Sequence, residues 1–301
     1  MNPRTFHPVP PREILASFVT SPILMRPDRI GALLVNLQSG QAPRAQPRMD
    51  MPADDDADDY VMPWDEPIYT VAGGIAVLLV QGPIVKGYDA CTCWYWGLAS
   101  LDRIEAACDE IAARPDVDIV VFRINSPGGM AQGTHECAAA IARLGASGKF
   151  TLAFTDTQAC SAAYWLAAAC AQIKCTGSAD VGCIGTYISF YDYTQLLTDQ
   201  GIKLELFKRG DYKALGLPGN PLDDQQRAFL DADVGRTNDR FLAAVRAGRG
   251  DVADSTMQGQ WFDGDEAVAL KLADEVVTNF SSLMADITGK LNQVLMQASL
   301  G

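Results

Sequence analysis

From about residue 69 to residue 277, short runs rich in Val and Ile alternate with segments of helical period. That alternation constrains the fold more than any other feature of the chain. "GIAVLLVQGPIV" is an apolar run bounded by glycines and reads as a buried strand. "SLDRIEAACDEIAARP" repeats apolar residues at helical spacing and stops at Pro115. "VDIVVFRI" reads as a strand, "MAQGTHECAAAIARLGAS" as a helix, "FTLAFT" as a strand and "SAAYWLAAACA" as a helix. Further on, "KLELFK" predicts a strand and "DDQQRAFLDADVGRTNDRFLAAVRAGRG" a long helix closed by glycines. "DGDEAVALKLADEVV" reads as a helix feeding a strand. Such repetition calls for a mainly parallel sheet flanked by helices, an α/β fold.

Outside that region the pattern changes. Residues 11–37 predict one or two amphipathic helices, so 1–40 reads as a helical leader. Residues 41–68 are rich in Pro and Asp and have no apolar period. They read as an acidic linker, which buries too little apolar surface to offset its ordering entropy. The compact domain then occupies 69–280, and 281–301 reads as a C-terminal helical tail. "DDDADD" lacks the glycine and spacing of a calcium loop and reads as solvated charge.

The formal net charge of -13 argues against nucleic acid or an anionic membrane as partner. The eight cysteines form no stapling pattern and read as reduced thiols in a cytosolic setting. Cys91 and Cys93 have no second pair at zinc spacing, so no metal is expected. The N-terminal residues show no apolar core behind a basic end, so no signal peptide is expected. No apolar run approaches the roughly 18 residues that a membrane helix needs. A soluble protein is expected.

In a parallel sheet, sites form at the carboxyl ends of strands. Two ends stand out. After "DIVVFR" comes "INSPGGM", where Gly128 and Gly129 either make a simple turn or offer N–H groups to a developing oxyanion. After "FTLAFT" comes Ser161, at a helix start, where a serine is an N-cap or a nucleophile. A nucleophilic serine needs a base. Of the two histidines, His7 falls in the leader, and His135, in the helix after Gly129, reads as structural. The other choice is Lys213, in a glycine-flanked, fairly apolar loop. It reads as a surface charge unless burial holds the amine neutral. Cys160 reads as packing.

"INSPGG", "QACSAAYW", "GCIGTY" and "GIKLELFKRGDYKALG", in that order, resemble the signal peptide peptidase family of Ser–Lys proteases. The likeness is greatest to its soluble branch, the capsid-assembly (head maturation) proteases of tailed bacteriophages. It runs from about Gly74 to Val277 and closes with "GQWFDGDEAVALKLADEV"; "ILASFVTSPILMRPDRIGALL" also resembles the phage leader. The resemblance implies a Clp-protease/crotonase-like fold, Ser161 as nucleophile and Lys213 as general base. It implies an oxyanion hole from the N–H groups of Gly128 or Gly129 and of Ala162. Gly182, Cys183, Ile184 and Gly185 would line the substrate groove. It further implies no cofactor and no metal, and a homo-oligomer that tends to form rings. The substrates would be scaffold and procapsid proteins, including the enzyme itself, inside the procapsid in the host cytoplasm. The chain departs from many relatives in having Ala162–Ala163 where a glycine follows the serine. Three other readings stay open: a host-type soluble peptidase degrading peptides, a crotonase-type acyl-CoA enzyme, and a non-catalytic scaffold or portal-associated protein.

Overall fold

The computed structural model describes residues 9–10, 13–14, 22–26, 29 and 62–300. His7, most of the leader and residues 41–61 of the acidic stretch lie outside them. The centre is a six-stranded sheet. In chain order its strands are β2 (Tyr69–Ala72), β3 (Ile75–Gln81), β6 (Ile119–Asn125), β8 (Phe150–Thr155), β10 (Gln172–Cys175) and β13 (Glu275–Val276). Their spatial order is β13-β10-β8-β6-β3-β2, parallel throughout except for the β2–β3 hairpin. The alternation read from the sequence therefore folds as an α/β sheet. The Val/Ile run of β6 and the Leu, Ala and Phe residues at the centre of β8 are buried on both faces, as central parallel strands must be.

Helices cover both faces. On one side lie α2 (Leu101–Ala112), α3 (Thr134–Ala146), α4 (Ala162–Ala168) and α6 (Asp224–Arg249), which share the main core. On the other, α8 (Phe280–Leu300) sets Leu283, Ile287 and Leu291 against Ile75, Val121, Leu152 and Phe154. Shorter helices are α1 (Ala90–Trp96), α5 (Thr194–Asp199) and α7 (Gly264–Ala269).

Two small sheets sit where β6 and β8 end. One contains β1 (Ile23–Met25), β7 (Gly128–Met130), β4 (Ile84–Val85) and β5 (Ala99–Ser100) in the order β1-β7-β4-β5. The other contains β12 (Trp261–Phe262), β11 (Asp180–Gly182) and β9 (Gln158–Cys160). Past β6, Ser126 N–H donates to Gln158 O at 3.0 Å, and Cys160 N–H donates back to Ser126 O at 3.2 Å. This bridge clamps the two strand ends together and so brings Gly128 beside Ser161.

Helix α4 is buried on every side. Seven residues are too few for a stable helix alone, so its packing sustains it. Trp165 stacks on Phe241 with ring centroids 4.8 Å apart, and Tyr164 Oη donates to Leu272 O at 2.9 Å. Each buried aromatic side chain contributes about 2–3 kcal/mol. Helix α6 approaches α4 closely at Gly248, where an added Cβ would run into the Ala168 carbonyl. Alanine exceeds glycine in helix propensity by about 1 kcal/mol. We nevertheless expect Gly248→Ala to destabilise the fold by about 2 kcal/mol, because the two backbones must separate. Urea unfolding measures this directly; a gain in stability would contradict the contact.

The structure departs from the sequence reading at three places. Ile23–Met25 is a strand, although 11–37 predicts helix. Pro22 and Pro27 bracket it, and a residue preceding proline is driven out of the helical region, so Ser21 and Arg26 favour extension. Residues 203–208, the expected "KLELFK" strand, have no regular structure and are exposed. A strand needs a partner edge, and this segment finds none within the described residues. Finally, Gly128–Met130 is strand, and the helix expected from Met130 starts at Thr134, after Gly133 with φ 81°.

Candidate active site

Ser161 stands at the turn between β9 and α4, 1% exposed, with φ 55° and ψ -120°. A non-glycine residue held there stores roughly 1–3 kcal/mol of strain. The surroundings enforce it: Ser161 N–H donates to Gly182 O at 2.7 Å, and Ser161 O accepts from Trp165 N–H at 2.9 Å. The hydroxyl makes no capping hydrogen bond, although Ser161 occupies the N-cap position. The helix therefore does not consume the side chain. A sharp strand–turn–helix bend that presents a serine is the device of nucleophile elbows.

Gly128 and Gly129 face this turn. A Cβ on Gly128, whose φ is 98°, would strike the Leu24 carbonyl oxygen and lie 2.9 Å from both Cys160 O and Ser161 Cβ. One on Gly129 would strike the Ile84 backbone. No side chain fits at either position. Gly128 N–H donates to the buried Ser126 hydroxyl at 3.2 Å. Ala162 is the first residue of α4, so its N–H has no partner inside the helix.

The segment after β11 closes the other side. Gly182 (φ 110°) accepts from Ser161, Cys183 (φ 53°) donates its N–H to Gln260 O at 2.6 Å, and Ile184 O accepts from Gly259 N–H at 2.8 Å. Gly185 rests against Gly259. Beyond them, Tyr187 bonds Ile23 through both its N–H and its O, at 3.2 and 2.8 Å.

Ser161, Gly128, Gly129, Ala162 and Gly182 thus converge. Lys213 does not join them. It lies exposed in the irregular loop, and no hydrogen bond or ion pair links it to Ser161. Its neighbours Ala214 and Leu215 line an apolar cleft with Pro22, Phe190 and Leu230. His135 is exposed on α3 with its ring 6.0 Å from that of Trp165. Cys160 is fully buried, its thiol 3.6 Å from Asp180 O, and burial pushes it well above the ordinary thiol range. It packs, as read from the sequence. All eight cysteines are free. Among the described residues, no group of three or more His, Cys, Asp or Glu side chains is arranged to hold a metal. No helix there is long and apolar enough to cross a membrane.

The sequence reading missed Ser126, Tyr187 and the leader strand. It also missed Arg26, which is 5% exposed, ion-paired to Asp180 and 4.1 Å from the Trp261 ring centre. The prolines around Ile23–Met25 were the available signal.

A strained, uncapped serine thus stands beside a Gly-Gly strand, and the chain has relatives among known proteins. Over residues 143–287 the chain matches Peptidase family S49. It is 31% identical over 217 residues to the capsid assembly protease C of Escherichia phage lambda, covering 71% of this chain and 49% of the relative. It is 29% identical over 293 residues to the head-tail preconnector protein GP5 of Enterobacteria phage P21, covering 93% of this chain and 57% of the relative. The chain thus spans about half the length of these two relatives. A solved enoyl-CoA hydratase/isomerase family member aligns with a TM-score of 0.46 at 17% identity, over 74% of this chain and 75% of the other.

Proposed function

We propose that this chain is a serine endopeptidase of phage head maturation, working through Ser161 with Lys213 as general base. The observation that carries the reading is Ser161 itself: a buried hydroxyl, unused by the helix it begins, on a strained backbone beside Gly128. An acyl-CoA enzyme acting through glycine N–H groups has no use for that strain. Ser161 Oγ attacks a peptide carbonyl while neutral Lys213 takes its proton. The N–H groups of Gly129 and Ala162 receive the oxyanion. Gly129 suits this better than Gly128, whose N–H is engaged by Ser126. The lysine then protonates the leaving amine, and water hydrolyses the acyl-enzyme with the same lysine as base.

Lys213 must lose its water to serve. The loop that carries it exposes Ile202, Leu204, Leu206 and Phe207, the last at 92%. Apolar surface of that kind marks an interface, and we take the occupant to be further copies of this chain in a homo-oligomer. The names of the phage relatives support capsid, scaffold and preconnector proteins as substrates.

A fluorophosphonate probe should label the purified chain at Ser161, as peptide mapping would show, with Ser161→Ala unlabelled. Labelling elsewhere, or equal labelling of that variant, would remove Ser161 as nucleophile.

A further inference from the structure

The groove beside Ser161 holds part of the chain itself. β1 lies extended between two edges and bonds to both. Against β7, Ile23 pairs with Met130, Leu24 with Gly129 and Met25 with Gly128, antiparallel. Arg26 N–H donates to Pro127 O at 2.9 Å, and Ala131 N–H donates to Pro22 O at 3.3 Å. Hydrogen-bonded pairs recur every second residue in an antiparallel ladder. Leu24 and Gly129 are therefore such a pair, with Gly129 N–H aimed at the Leu24 carbonyl oxygen. On the opposite edge Ile23 bonds Tyr187 through both its N–H and its carbonyl.

We propose that this leader strand is the enzyme's own substrate and that the Leu24–Met25 peptide bond is its self-cleavage site. The inference rests on the peptidase reading above and names one bond for it. Three observations single out that bond. The Leu24 carbonyl oxygen and Ser161 Cβ crowd the same point beside Gly128, so close that glycine is required there. The carbonyl also faces the N–H that would stabilise its oxyanion. Lastly, the side chains flanking the bond have built pockets. Leu24 enters the main core together with Ala159, Ala162 and Ala163. Ile23 and Met25 turn to the other side, among Val85, Trp96, Leu98 and Met130. Arg26 is anchored by Asp180 and the Trp261 ring.

The step balances with water as the only co-reactant. Ser161 Oγ adds to the Leu24 carbonyl carbon, and its proton passes to Lys213. The bond from Leu24 C to Met25 N breaks, and Lys213 returns the proton to the Met25 amine. Water then cleaves the ester, leaving a carboxylate on Leu24 and restoring the Ser161 hydroxyl. The groove is filled by the leader until this occurs, so self-cleavage comes before attack on other proteins.

The test follows the purified 301-residue chain over time by intact mass and N-terminal sequencing, alongside fluorophosphonate labelling. A fragment beginning at Met25 should accumulate in the natural chain and be absent in Ser161→Ala. Leu24→Asp sets a carboxylate where Leu24 is wholly buried and so unseats the leader; cleavage at Met25 should fall about 100-fold while Ser161, now uncovered, still labels. If Ser161 labels but no fragment begins at Met25, the leader only packs, and this inference falls while the peptidase reading stands. A Met25 fragment formed equally by Ser161→Ala would also overturn it, since another protease would be responsible. Absence of both labelling and cleavage would overturn both.

Discussion

Ser161→Ala is expected to lose peptide cleavage by a factor on the order of 10⁴ to 10⁶ and to fold as before. The hydroxyl supplies the bond-forming electron pair, and no neighbour replaces it. Cys160 points away into the core, its thiol on Asp180 O, with burial opposing its ionisation. The alanine keeps its Cβ and hence the strain at φ 55°. Stability should therefore change by no more than about 0.5 kcal/mol. Ser161→Gly separates the two effects. Glycine relieves the strain, about 1–3 kcal/mol, and loses part of that to greater freedom in the unfolded chain. The expected result is an inactive protein more stable by about 1 kcal/mol. Denaturant midpoints and cleavage of a co-expressed scaffold protein measure both. An active alanine variant would place the nucleophile elsewhere. A destabilised glycine variant would mean that the backbone at Ser161 is not strained.

Much of this site was legible because its parts lie at strand ends with marked composition. Ser126 to Gly129 follow a Val/Ile run directly, and two adjacent glycines there announce a close approach, which proves to be Ser161 and the Leu24 carbonyl. Ser161 was conspicuous as one hydroxyl in an alanine-rich helix start. From the residues alone the cap is the more common role for such a serine, and the nucleophile reading came from the family resemblance; the dihedral angles and the missing capping bond count against the cap. β1 was not legible. Three residues show no period, and the apolar residues from 11 to 37 average to a helical pattern. What makes Ile23–Met25 a strand is the free edge of β7 and the wall at Tyr187, both distant in sequence. The reverse holds for residues 203–208, where the alternation in "KLELFK" has the pattern of a strand but no edge to join among the described residues. Pattern predicts a strand only where tertiary structure offers a partner.

Lys213→Arg is the second large effect expected. A general base in such a reaction contributes about 10²–10⁴ in rate. Arginine holds a similar length and charge but cannot give up its proton, so it cannot accept one from Ser161. Cleavage should fall through at least that range. Because Lys213 is exposed in the single chain, the substitution should leave folding stability within about 0.5 kcal/mol. Loss of activity without loss of stability distinguishes a base from a structural residue. His135→Ala is the companion measurement. Its ring is exposed against Trp165, so that variant should keep most of its activity. Dilution adds a further readout, since activity per chain should fall as copies separate and the loop bearing Lys213 regains its water. If Lys213→Arg retains more than about a tenth of the natural rate, less than the smallest loss expected of a general base, the proton leaves Ser161 by another route. A collapse of activity in His135→Ala with the fold intact would identify that route as the imidazole.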